Sequence, residues 1–251
     1  MKNYGLIGYP LSHSFSASFF SEKFQKEGIT DSQYQLFPIE KIESLPRLIL
    51  ENVNLFGLNV TIPYKQQVIS LLHELDDNIA RIGAVNTIKI YRNNNSIRLK
   101  GYNTDVHGFR LSLEPFMKKE YTNALILGTG GSSRAVAYVL QRMGLEITRV
   151  SRNPKNSGDI AYEMVTPEML AISKVIVNTS PVGMYPDINS FPPIPYEYLT
   201  PEHILFDLIY NPQETQFMML GKSKGAKVIN GMEMLHLQAE KAWEIWNDKN
   251  L

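Results

Sequence analysis

The chain has no cysteine among its 251 residues, which excludes disulfides, thiol nucleophiles and thiolate metal sites. Long apolar runs are missing too: nothing approaches the roughly 18 residues that a membrane-spanning helix needs. The opening Met1-Lys2-Asn3-Tyr4-Gly5-Leu6 lacks the apolar core of a secretory signal, so a soluble, cytoplasmic protein is expected. Neither sign of charge is in excess, with 25 Lys+Arg against 25 Asp+Glu. A nucleic-acid footprint or a membrane-seeking face is therefore not expected, and the charge of any ligand must be read locally. The five histidines, His13, His73, His107, His203 and His236, show no metal-ligand spacing, and no metal is expected. Internal repeats and low-complexity segments are absent.

What is present is concentrated in a few short segments. Three polar islands, Asn59-Val60-Thr61-Ile62-Pro63-Tyr64-Lys65, Gly83-Ala84-Val85-Asn86-Thr87 and Gly101-Tyr102-Asn103-Thr104-Asp105, follow or open apolar runs. There they place one lysine, one aspartate and several neutral hydrogen-bonding groups where α/β enzymes keep substrate chemistry. A glycine-rich loop follows, Leu127-Gly128-Thr129-Gly130-Gly131-Ser132-Ser133-Arg134. A polar substrate site beside a dinucleotide cradle implies an oxidoreductase.

With 43% apolar and 20% charged residues the chain can bury a core in one large or two smaller domains. Strand-like and helix-like segments alternate. Strands are expected at Tyr4–Gly8, Tyr34–Ile39 and Phe56–Ile62. Helices are expected at Ser16–Glu27, at Lys41–Leu50 with an interruption near Pro46, and at Tyr64–Leu75. Asn86–Arg92 and Ser96–Tyr102, joined by Asn93-Asn94-Asn95, read as a hairpin forming an antiparallel edge on a mostly parallel sheet. A helix from Val106 to Phe116 leads to a second series of strands at Asn123–Leu127, Ile147–Val150, Lys174–Val177, Ile204–Leu208 and Lys227–Ile229. Between them come a helix at Ser133–Met143 and a proline-dense loop from Pro181 to Pro201. A last helix, Met232–Asn247, carries Trp243 and Trp246, expected to pack against a core. The expected fold class is α/β with two domains and a cleft between them.

The glycine loop sits between an apolar strand and an amphipathic helix. Gly128, Gly130 and Gly131 suit a sharp turn and close approach of backbone amides to a pyrophosphate at the helix N-terminus; Ser133 holds the usual third-glycine position. The next strand ends Val150-Ser151-Arg152-Asn153-Pro154-Lys155, without the acid that would take a ribose 2′-hydroxyl. Arg152 can face a 2′-phosphate, Ser151 and Asn153 can hydrogen-bond it and Lys155 can add charge, so NADP(H) is favoured over NAD. Carbonyl reduction also needs a proton delivered at oxygen. Lys65 and Asp105 can hold charge and proton there if the fold brings them together. Read from spacing alone, they remain open to structural roles, Asp105 as a helix N-cap.

In motif order and spacing the whole chain resembles the shikimate dehydrogenase family. The opening Gly8-Tyr9-Pro10-Leu11-Ser12-His13-Ser14-Phe15-Ser16 resembles the family's serine motif, and the three islands resemble its lysine, asparagine and aspartate motifs. Asn178-Thr179-Ser180-Pro181-Val182-Gly183-Met184 resembles the loop beside the nicotinamide, and Asp207-Leu208-Ile209-Tyr210-Asn211-Pro212 with Thr215 the loop after it. Gly231-Met232-Glu233-Met234-Leu235-His236-Leu237-Gln238-Ala239 resembles the segment that returns a glutamine to the substrate.

The resemblance implies NADPH-dependent reduction of 3-dehydroshikimate to shikimate, a step of chorismate and aromatic amino acid biosynthesis. It makes Lys65 and Asp105 the catalytic pair and gives the substrate carboxylate to Ser14 and Ser16. It gives the ring hydroxyls to Thr61, Asn86, Asp105 and Gln238, with Tyr210 closing the site. His13, a lone histidine with no base-and-nucleophile partner pattern, is expected to orient its loop. The cofactor falls to Gly128, Thr129, Gly130, Gly131, Ser132, Ser133, Ser151, Arg152, Asn153, Thr179, Met184, Leu208 and Gly231. The implied fold is an N-terminal α/β substrate domain with a mostly parallel mixed sheet, residues 1–103 plus 232–251. Residues 104–231 form a Rossmann-like doubly wound NADP-binding domain, with hinges near Asn103–Asp105 and Gly231. Partners are limited to the small-molecule substrate, as monomer or homodimer. The stretch from Asn153 to Val165 is shorter than the helix usual in the family. A quinate/shikimate dehydrogenase of broader substrate or NAD use, a folate-type methylene dehydrogenase and a nucleotide-sensing binding protein are the competing readings.

Overall fold

A computed structural model describes residues 1–11, 14–93, 96–154 and 156–248; His13, Lys155 and two of the three turn asparagines lie outside the described residues. The chain forms two compact units, one of Met1–Thr104 with Gln238–Leu251, the other of Asp105–Leu237.

The first unit runs β1 (Lys2–Gly8), α1 (Phe15–Lys26), β2 (Ser32–Pro38), α2 (Leu45–Glu51), β3 (Leu55–Val60), β4 (Glu74–Leu75), α3 (Ile79–Ile82), β5 (Thr87–Asn93) and β6 (Ser96–Tyr102). Its sheet has the order β2-β1-β3-β5-β6-β4. β1 pairs in parallel with β2 and β3, and β4 with β6, while β5 pairs antiparallel with β3 and β6. Five consecutive residues of β1 are buried, as expected of a strand covered on both faces. Aromatic rings dominate the core. Tyr4 stacks on Trp246 at 5.0 Å between ring centroids, Phe20 and Phe24 join them, and the Trp246 indole donates to the Ile88 carbonyl at 3.0 Å. Gly57 leaves the room that this indole occupies.

Two expectations for this unit are corrected. The hairpin does form, but it is not the sheet edge, because β4 adds outside β6. The helix expected at Tyr64–Leu75 is a 3-10 turn at Gln67–Leu71 followed by β4. An α-helix would need the Lys65 carbonyl for the Ile69 amide. The Val85 amide takes that carbonyl at 2.7 Å, Ile69 turns to Gln66, and the His73 amide joins the sheet through Leu99. The break near Pro46 is a 3-10 turn at Ile42–Ser44 running into α2, with the proline in the first turn, where its missing N–H costs nothing.

The second unit runs α4 (Asp105–Leu113), β7 (Asn123–Leu127), α5 (Gly131–Arg142), β8 (Glu146–Val150), β9 (Asp159–Ile160), α6 (Pro167–Ile172), β10 (Val175–Asn178), β11 (Ile204–Asp207), α7 (Gln216–Ser223), β12 (Lys227–Ile229) and α8 (Met232–Asn247), the last continuing into the first unit. All pairings are parallel in the order β12-β11-β10-β7-β8-β9, the doubly wound Rossmann arrangement. The period of two along each strand sorts the core. Ala124, Ile126, Val175, Val177 and Phe206 pack with Val136 and Leu140 of α5. Leu125, Leu127, Ile176 and Leu205 pack on the other face with Leu170 of α6 and Phe217 of α7.

The helix expected to reach Phe116 stops at Leu113, and Pro115 lies in the 3-10 turn that follows. The proline-dense segment carries only a 3-10 turn at Tyr196–Tyr198. Among the described residues no α-helix separates β8 from β9. The join is tightened by Asp159, which accepts from Arg149 Nε at 2.8 Å and Asn156 Nδ2 at 2.7 Å. Among the described residues no helix is long and apolar enough to cross a membrane.

Candidate active site

Each sheet has a point where successive connections leave in opposite directions, and crevices for ligands form at the carboxyl ends of the strands there. In the first unit that point lies between β1 and β3. Gly8 ends β1 so close to Thr61 that a Cβ would stand 2.5 Å from the threonine methyl. The Thr61 amide donates to Ile7 O at 3.0 Å and the Tyr9 amide to Ile62 O at 3.2 Å. The chains leading to Ser14 and Ser16 and to Lys65 therefore start side by side. Ser14 takes the N-cap position of α1 in an extended conformation without using its hydroxyl as the cap. Ser16 is buried in the first turn of α1. Lys65 is half-buried, its carbonyl tied to the segment that carries Asn86.

Around Asn86 lies a buried polar network. Its Nδ2 donates to Thr104 Oγ1 at 3.0 Å and to Gln238 Oε1 at 3.5 Å, while its Oδ1 accepts the Thr104 amide at 2.7 Å. Thr104 Oγ1 also lies 3.4 Å from Gln238 Oε1 and 3.2 Å from Thr87 Oγ1. Asn59 donates through Nδ2 to Thr87 Oγ1 and to the Asn86 carbonyl, and accepts at Oδ1 from the Tyr34 phenol at 2.8 Å. Burial pushes the Tyr34 hydroxyl far up, so it stays a neutral donor. The tertiary structure thus brings Asn86 and Gln238, 152 residues apart, to one place. Asp105 is 6% exposed and opens α4, directly after Thr104.

In the second unit the reversal lies between β7 and β10. Gly128, at φ +116°, follows β7 with a conformation that only glycine takes easily, and a Cβ there would stand 2.7 Å from Thr179 Oγ1. Gly130 is the N-cap of the twelve-residue α5; no side chain caps the helix, and a Cβ on Gly130 would meet nothing within 4 Å. Ser133 closes the turn from below, donating to Gly130 O at 2.6 Å. Open backbone at a helix N-terminus fits a pyrophosphate. At the end of β8, Ser151 Oγ accepts the Asn153 amide at 3.3 Å, and Arg152 is exposed. Thr179 and Met184 lie in the segment after β10, and Leu208 and Tyr210 in the loop after β11; Gly231 packs where a Cβ would collide with the Leu208 carbonyl.

A family model described as the shikimate dehydrogenase substrate binding domain matches residues 6–88. A shikimate dehydrogenase (NADP(+)) of Clostridium beijerinckii is 41% identical, the match covering 100% of this chain and 94% of the relative. One of Carboxydothermus hydrogenoformans is 39% identical over 96% of this chain and 90% of the relative. The chain belongs to the shikimate dehydrogenase family. Among solved structures, the Thermus thermophilus shikimate 5-dehydrogenase in complex with NADP(H) and shikimate superposes with a TM-score of 0.84 at 31% identity, covering 98% of this chain and 94% of that one.

Family membership leaves the supporting residues to be found. Tyr34, Thr87 and Thr104, with Asn59, make the frame around Asn86 and Gln238, and none was singled out from sequence. Asn59, Thr87 and Thr104 lie inside the polar islands, which is a usable signal. Tyr34 sits in a strand of mixed polarity outside the islands and gives none. Asn178, Asp207 and Thr215 likewise form a buried cluster that the motif contains without explaining.

Proposed function

We propose that this protein catalyses the NADPH-dependent reduction of the ring ketone of 3-dehydroshikimate to shikimate, and the reverse oxidation. The observation that carries this reading is the buried Asn86–Thr104–Gln238 constellation at the strand ends of the first unit. Neutral amides and hydroxyls held in fixed directions suit a polyhydroxylated ring, because each bond left unmade penalises the wrong substrate. A nicotinamide held in the second unit would supply the hydride.

The chain's own groups do the rest. Lys65 and Asp105 form the proton-handling pair at the carbonyl oxygen. Ser14 and Ser16 take the carboxylate through hydroxyls at the start of α1. Thr61, Asn86, Asp105 and Gln238 take the ring hydroxyls, and Tyr210 closes the site. Residues 128–133 hold the pyrophosphate, with Ser151, Arg152 and Asn153 at the ribose 2′-phosphate. Thr179, Met184, Leu208 and Gly231 flank the nicotinamide.

Purified protein should be assayed with shikimate and quinate, each against NADP and NAD, by the near-ultraviolet absorbance of the reduced nicotinamide. Turnover confined to shikimate with NADP is expected. Comparable rates with quinate or NAD would reassign the protein to the broader quinate/shikimate class. Absence of turnover with every pair would overturn the enzymatic reading.

A further inference from the structure

Asp207 is fully buried at the end of β11 and holds none of the roles assigned above. Three groups converge on its carboxylate, and all three donate. Asn178 Nδ2, from the end of β10, and the Ile209 amide, from the loop after β11, each reach Oδ1 at 3.0 Å. The Thr215 hydroxyl reaches Oδ2 at 2.6 Å. Each donor is also committed elsewhere. Thr215 Oγ1 caps α7 by accepting the Met218 amide at 3.3 Å. Asn178 Oδ1 gathers the Ser180 amide at 3.1 Å and the Ser180 hydroxyl at 2.7 Å, and the Asn178 carbonyl accepts the Leu208 amide at 3.0 Å. Ile209 accepts the Gly231 amide at 3.0 Å. One carboxylate therefore joins two strand ends, two loops and a helix cap.

Packing alone does not call for an ion at this position. A buried carboxylate is costly unless its donors are arranged for it, and a neutral side chain of similar shape avoids the cost. A protonated carboxyl, or an amide, would turn one of its hydrogens toward a site that now holds only donors. The three donors favour the charged form, while burial opposes it.

We propose that Asp207 is a positioning residue: its carboxylate clamps the loops at 178–184 and 208–215 together and so sets where the groups flanking the nicotinamide stand. Its link to turnover rests on the functional reading above; the clamp itself does not. Misplacement of reacting groups by about 1 Å is enough to slow chemistry on the order of a hundredfold.

The test uses the whole protein and Asp207→Asn. Hydrogen exchange should quicken about fivefold or more in both loops while α5 is unchanged, since local opening follows the bonds removed. With NADP and shikimate, kcat should fall at least roughly tenfold with the shikimate KM within about threefold, as for loss of alignment rather than of binding. The isotope effect with NADPH deuterated at the transferred position should rise as hydride transfer becomes rate-limiting. A variant that is merely less stable, with exchange in the loops, kcat and the isotope effect all unchanged, would overturn the proposal. Should Asp207→Asn not fold, Thr215→Val removes one donor at matched volume and must quicken exchange in 208–215; unchanged exchange there would equally overturn it. Wild-type protein that fails to oxidise shikimate defeats the functional reading alone, because loop exchange still decides the clamp.

Discussion

The two strand-end sites solve opposite recognition problems. In the first unit the polar groups at the strand ends are side chains, and those side chains are bonded to one another: Tyr34 to Asn59, Asn59 to Thr87, Asn86 to Thr104 and Gln238. In the second unit the glycine loop offers open backbone at Gly130, where a Cβ would meet nothing within 4 Å and no side chain caps the helix. A hydroxylated ring is distinguished from its analogues by the direction of each hydrogen bond, which needs oriented amides and hydroxyls. A pyrophosphate carries diffuse negative charge and is served by amides at a helix end. The first site should therefore fail when a polar group is removed, and the second when one is added or when its outlying charge is lost.

The largest effect should come from the one lysine in the islands. Lys65→Ala should lower kcat by ~10²–10⁴ while shikimate still binds, the range for a proton-transfer group. Steady-state kinetics beside a direct binding measurement checks this, and a variant within threefold of wild type would put Lys65 among the merely structural residues.

Asp207 brings charge into the backbone-dominated unit. Burial pushes its pKa from 3.8 up to about 6, against the hydrogen bonds from Thr215, Ile209 and Asn178. The nearby Tyr196 phenol, itself pushed up by burial, stays neutral throughout. Between 3.8 and about 6 the folded protein binds more protons than the unfolded chain at this site. Its contribution to stability is thus present at acid pH and lost as pH rises through about 6, by on the order of 3 kcal/mol. Urea titrations should show wild type gaining that much relative to Asp207→Asn between neutral pH and pH 4, while turnover moves the other way. A pH-independent difference would mean the carboxylate is not buried as described.

Tyr34→Phe probes the frame without touching the ligand. It leaves Asn59 Oδ1 buried without its phenol donor, a loss of about 1–3 kcal/mol in denaturant titration, and the freed Asn59 should raise the shikimate KM. Unchanged stability would show that the network is dispensable and the contrast between the units overstated. Smallest should be Arg152→Ala. Arg152 is exposed, and its loss should raise the NADPH KM by roughly tenfold and leave the NADH KM alone, as for one charge-assisted contact. Equal effects on both cofactors would remove it from the 2′-phosphate.

Legibility followed locality. The glycine loop, the basic end of β8 and the polar islands are contiguous, so period and residue type exposed them. The expected helix at Tyr64–Leu75 failed because Val85 and Leu99, both distant in sequence, claimed the hydrogen bonds that a helix would have used. The edge strand β4 exists only because Lys100 and Gly101 were there to pair with it. For the same reason Tyr34 carried no local mark of its contact with Asn59.

By itself the sequence determined the kind of protein this is: alternating apolar periods dictate α/β layers, glycines dictate an open turn, and short polar runs dictate where chemistry can sit. Only the tertiary structure decided which polar groups complete one another. Buried donors and acceptors must find partners wherever the fold brings them, and those partners lie as far apart in the chain as Asn86 and Gln238.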